Sequence, residues 1–221
     1  MYVFAKFSKG FLKQYANLKE SSKDSMLECR TGFFSFADAV CEGIIRNWNG
    51  RYELPDGGKV SIEVKIIRYN GVKTKQRYIT FKQSRYNMFS HVTSPVYRWV
   101  WGLIPNKFHL ESAGFNWSPR NPGTVYLCKC RSLYFFEQTA AHEFGHVLGL
   151  GDTYGAWYRF FYDMPGTENY MMYHNYRVSN EEITMMLRAQ AEGKMQYFPY
   201  KFSFKHIRDE LKHIIKKKKA K

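Results

Sequence analysis

The stretch Ala141-His142-Glu143-Phe144-Gly145-His146-Val147-Leu148-Gly149-Leu150-Gly151-Asp152 decides how the rest of the chain is read. It sets two histidines four residues apart, with a glutamate directly after the first. On an α-helix, positions i and i+4 share a face, so both imidazoles reach a single ion. Glu143 sits one residue round the helix, close enough to deprotonate a water at that ion without ligating the metal itself. Catalytic zinc takes three protein ligands and keeps one position for water, so a third ligand is required. Gly149 supplies the way to it, because glycine at a helix end adopts the left-handed conformation that turns the chain sharply. Three residues on, Asp152 offers a carboxylate. The spacing therefore predicts one zinc ion held by His142, His146 and Asp152, with Glu143 as the general base of a hydrolytic reaction.

Chance is a poor explanation of this pattern. HExxH arises by accident in about one chain of this size in a hundred, and Gly and Asp at the right offsets make coincidence rarer by roughly several hundredfold. HExxHxxGxxD resembles the zinc signature of the metzincin metalloproteases, whose usual last residue is histidine. The aspartate variant is similar to that of snapalysin-type bacterial proteases. The resemblance covers residues 35–190, densely at the zinc helix and thinly elsewhere. It implies a zinc metallo-endopeptidase acting on a protein or peptide substrate. It also implies an α+β fold: a twisted mixed sheet with an antiparallel edge strand, a zinc-binding active-site helix and a small C-terminal helical subdomain.

Further roles follow from the resemblance alone. Met171 fits a methionine turn that packs beneath the imidazoles, with Met172 as the fallback. Tyr173, two residues after Met171, is then placed to bind zinc or to hydrogen-bond the oxyanion, though a structural tyrosine fits equally. Val125, Tyr126 and Leu127 become the antiparallel edge strand that holds extended substrate by backbone pairing, the alternative being an ordinary sheet strand. Two rivals compete with Asp152. His174 lies at an offset that matches no pattern. Glu181 or Glu182 resembles the later-helix ligand of thermolysin-type zincins, but Gly149 ends the zinc helix early and a capping box already employs Glu182.

Composition sets the bounds. The chain has 221 residues, 44% hydrophobic and 18% aromatic, enough to build a sizeable core without disulfides. The formal charge of +15 favours anionic partners, but much of it is scattered and part belongs to the Lys216 to Lys219 tail. Residues 205–221 read as a basic amphipathic helix or solvated tail that can touch an anionic partner. Among Cys29, Cys41, Cys128 and Cys130, the last two are too close to pair with each other comfortably. No run is long enough to span a membrane, and no secretory signal peptide is recognisable. The expectation is a cytoplasmic protein, or one exported or delivered by a non-classical route. Two other classes stand beside the general protease: a delivered toxin or effector protease with one narrow substrate, and a non-catalytic metal-containing module that binds nucleic acid or anionic surfaces.

In chain order, residues 1–34 read as an accessory segment with a short helix through Phe7, Phe11 and Tyr15. The catalytic domain follows over 35–204, its N-terminal subdomain running to about 150. Ser35 caps a first helix carrying Phe36, Ala39, Val40, Ile44 and Trp48. Val60, Ile62, Val64 and Ile66 alternate as one strand, and Asn70-Gly71 turns it into a returning strand over Tyr78 to Phe81. Residues 84–122 are irregular and rich in proline and tryptophan. The zinc helix is expected from Phe136 to Gly149, and a last helix from the Ser179 capping box to Gly193.

Overall fold

The computed structural model describes residues 1–12, 35–69, 78–84, 90–93, 117–128, 132–153, 166–174 and 177–198. Among these residues there are seven strands: β1 (Tyr2–Phe7), β2 (Gly50–Glu53), β3 (Lys59–Ile62), β4 (Lys65–Arg68), β5 (Ile79–Gln83), β6 (His91–Thr93) and β7 (Thr124–Leu127). The same residues hold four α-helical segments: α1 (Phe36–Trp48), α2 (Leu133–Val147), the single turn α3 (Met171–His174) and α4 (Asn180–Glu192). Five strands form one mixed sheet in the order β4-β1-β5-β7-β6, and β2 pairs with β3 in a separate antiparallel hairpin. At this level the molecule is mixed α/β, compatible with the expected α+β class.

Residues 2–7 of the N-terminal stretch are a strand of the sheet, so Phe7 is not on the expected helix; Phe11 lies on a short 3-10 helix (Lys9–Leu12), and Tyr15 lies outside the described residues. Val3 and Ala5 alternate with Tyr2, Phe4 and Lys6, and β1 is flanked by β4 and β5, both parallel to it. Two parallel neighbours bury Val3 and Ala5, a tertiary fact that so short an alternation cannot announce. The single strand expected over Val60 to Ile66 is two strands in different sheets. The chain breaks at Val64, which is buried and whose amide donates to Asn49 Oδ1 at 2.7 Å. The expected return hairpin is also absent. β4 and β5 lie on opposite sides of β1 and run in the same direction, and residues 70–77 lie outside the described part.

Val125, Tyr126 and Leu127 require a correction too. β7 is paired on both sides, parallel to β5 and antiparallel to β6, so it has no free edge to offer a substrate. Its Val125 and Leu127 are fully buried, as an interior strand demands. The sheet does end in an antiparallel strand, but that strand is β6.

One sheet face carries the core. Phe7 stacks on Phe81, Phe11 packs against Phe36 and Phe136, and Phe36 meets Phe136 edge-on at 5.3 Å between ring centroids. This aromatic layer fixes α1 and α2 over the strands. Among the described residues no helix is long and apolar enough to cross a membrane. Residues 13–34 and 205–221, with Cys29 and the basic tail, lie outside the described part, as do Trp99, Trp101 and Cys130. Cys41 is a buried free thiol.

Candidate metal centre

α2 begins one turn earlier than its apolar pattern suggests, because Ser132 caps it by accepting from the Phe135 amide. Three contacts with α1 then fix its position. Gly43 lies so close that a Cβ there would sit 2.4 Å from the Glu137 carbonyl oxygen. Arg46 Nη1 meets the buried Glu137 carboxylate at 2.8 Å, and Trp48 Nε1 donates to the Ala141 carbonyl at 2.9 Å. The buried acid is thereby paired, and the helix backbone is tied one residue before His142.

The helix ends where its sequence says it must. Gly149 has φ +97°, and a Cβ there would lie 2.8 Å from both Ala189 and Trp117. The position therefore demands glycine for conformation and for space. The last carbonyls find partners: Trp117 Nε1 donates to Val147 O at 2.9 Å and Gln190 Nε2 to Leu148 O at 3.0 Å. Trp117 is thus a structural residue that closes the helix. The Gln196 amide donates to Gly149 O and the Gly151 amide to Gln196 O, both at 2.8 Å, which sets the path toward Asp152.

The turn brings the predicted ligands together. Asp152 Oδ1 lies 3.1 Å from His142 Nε2 and 3.5 Å from His146 Nε2. His142, His146 and Asp152 each offer one ligand atom, all within 4.8 Å of one another, and form the one such metal-capable group among the described residues. The other ring nitrogens are already engaged. His142 Nδ1 lies 2.8 Å from the Met171 carbonyl, and His146 Nδ1 lies 2.8 Å from the Leu150 carbonyl. A carbonyl only accepts, so each Nδ1 carries a proton and each Nε2 is turned toward Asp152. With Nδ1 so engaged, Nε2 is the nitrogen each ring would offer to an ion in place of its proton.

Electrostatics agrees with a site built for a cation. Burial works against a charged His142, but the hydrogen bond and charge of Asp152 outweigh it and raise the imidazole to about 9. Burial instead holds His146 below its ordinary value. Glu143 is buried beside them, and burial pushes its carboxyl up to about 8. Among the described residues its Oε2 has no hydrogen-bond partner. An unsatisfied buried carboxylate oxygen is expensive, which marks it as a group kept for a ligand.

The turn α3 packs against α2. Met171 and Met172 are both fully buried. It is Met172 whose sulfur lies against Gly145, where a Cβ would sit 2.2 Å away. Met171 contributes its carbonyl to His142. Thr153, next to Asp152, donates to Met172 O from its amide at 3.1 Å and from its hydroxyl at 3.3 Å. Tyr173 is buried on the same turn. The rival carboxylates are occupied elsewhere: Glu181 accepts from the Tyr170 hydroxyl at 2.8 Å, and Glu182 from the amides of Met172 and Ser179. Sequence reasoning missed the Leu150, Met171 and Met172 carbonyls as partners of His146, His142 and Thr153, since carbonyl acceptors leave no trace in residue identity. Glu182 was visible as a helix cap and as a rival ligand, not as the acceptor of the Met172 amide. Compared with known proteins, the chain matches no family profile, no curated protein and no solved structure.

Proposed function

We propose that the protein is a zinc-dependent metallo-endopeptidase with His142, His146 and Asp152 as ligands and Glu143 as general base. The carrying observation is the paired Nδ1 anchoring, which commits both imidazoles to present Nε2 at one point beside a carboxylate. Two imidazoles and one carboxylate oxygen are a donor set suited to catalytic zinc. When bound, the ion supplies Lewis-acid polarisation of a substrate carbonyl and makes water more acidic. Glu143 takes the proton of the attacking water at its carboxylate and hands it to the departing amine. A purely structural ion needs no such base. Tyr173 is kept as an oxyanion donor and Met171 with Met172 as the floor beneath the rings.

Cleavage of a mixed peptide library, with and without chelator, tests the reading directly. Chelator should abolish cleavage and zinc should restore it. Glu143→Ala should keep one zinc per chain and lose about 10²–10⁴-fold in kcat. Undiminished cleavage by that variant removes Glu143 from the chemistry, and a chain that takes up no zinc removes the whole assignment.

A further inference from the structure

Glu182 is buried more completely than a helix cap requires. In an ordinary capping box the glutamate accepts from the N-cap amide and leaves its other oxygen to solvent. The box at α1 is built near the surface, where Asp38 accepts from the Ser35 amide and turns its other oxygen to Arg68 at 2.6 Å. The box at α4 has the same first half, with the Ser179 amide donating to Glu182 Oε2 at 2.7 Å and the Glu182 amide to Ser179 Oγ at 3.2 Å. Glu182 itself is fully buried, and its Oε1 accepts from the Met172 amide at 2.7 Å.

That amide belongs to the same peptide group as the Met171 carbonyl, which accepts from His142 Nδ1 at 2.8 Å. In a planar trans peptide the N–H and C=O point in opposite directions, so carboxylate, peptide and imidazole are joined in one hydrogen-bonded chain. Burial raises the Glu182 carboxyl while the Ser179 and Met172 amides favour its ionised form. Hydrogen bonds in series polarise one another, so the ionised carboxylate makes the carbonyl at the other end a stronger acceptor. A stronger acceptor at Nδ1 makes Nε2 a better metal ligand, as a carboxylate bonded directly to a ligating histidine does. The next carbonyl, Met172 O, takes both Thr153 donors beside Asp152.

We infer that Glu182 is a positioning residue of the metal centre, acting on His142 through the Met171–Met172 peptide. This rests on the zinc reading of the triad. Glu182→Gln keeps the size of the side chain and removes its charge. It should weaken zinc affinity about ten- to a hundredfold in chelator competition and shift the visible spectrum of the cobalt-substituted protein. Ser179→Ala removes the other half of the cap and spares the relay. It should lower the melting temperature while leaving zinc affinity within about twofold. In the wild-type protein, coupling is reciprocal, so added zinc should slow hydrogen exchange of the Met172 amide by about tenfold. The exchange measurement decides the matter even if Glu182→Gln does not fold. Equal zinc affinity in wild type and Glu182→Gln, or a Met172 amide indifferent to zinc, overturns the relay alone. A wild-type chain that binds no zinc overturns the relay and the metal centre together.

Discussion

The two histidines are held by unlike means. His146 is anchored by the Leu150 carbonyl, four residues away, and His142 by the Met171 carbonyl, twenty-nine residues away. The first anchor needs only the turn at Gly149. The second needs α3, brought in from far along the chain. One half of the grip is therefore local and the other half belongs to the tertiary fold. The partners differ along α2 as well: its His142 end is braced by α1 through Gly43, Arg46 and Trp48, while its His146 end turns at Gly149 and has its last carbonyls taken up by Trp117 and Gln190.

The sharpest way to break this division is to separate α1 from α2. Gly43→Ala drives a methyl into the Glu137 backbone and should cost about 3 kcal/mol in a urea titration. Zinc affinity measured on the folded fraction should change less than stability, because the ligands move with their own helix. Gly149→Ala attacks the local half. A left-handed φ and the contacts with Ala189 and Trp117 should together cost about 2 kcal/mol. Here zinc affinity should fall with stability, since the path from His146 to Asp152 runs through this residue. Comparable losses of affinity in the two variants would erase the distinction.

A pH experiment sharpens it from within the site. Burial raises the Glu143 carboxyl from its ordinary 4.5 to about 8, with Asp152 adding to the rise and His142 opposing it. Between those values the folded chain holds a proton that the unfolded chain has lost. The contribution is fully present below 4.5 and declines as pH rises through 8. Glu143→Gln removes the titrating group. In the presence of chelator, its melting temperature should exceed that of the wild type by a margin that grows from pH 5 to pH 8. A margin independent of pH would show that Glu143 is not so perturbed. The smallest effect is expected for Thr153→Val, which loses one long hydroxyl bond to Met172 O and should cost roughly 0.5 kcal/mol.

Legibility followed the reach of each interaction. Ser35 and Ser179 capped the helices their sequences announced, and Gly193 stops α4 in the left-handed conformation expected of it. The alternation from Val60 to Ile66 misled because two short strands in different sheets share one period, and only Asn49 reveals the break. β7 misled because its residues do not say how many neighbours a strand has. Burial of Val125 and Leu127 fits an edge strand or an interior one, and pairing with both β5 and β6 decides it.

What the sequence determined by itself is the helical set: two histidines on one face, a glutamate beside them, and a glycine that turns the chain toward Asp152. These depend on spacings within a dozen residues, where backbone geometry leaves little choice. The tertiary structure decided which nitrogen of each ring faces the common point, which strand ends the sheet, and how Glu182 reaches His142. Each of these is made by a backbone group or a buried charge brought in from far along the chain. Such partners are identified by position in space, and residue type carries no record of them.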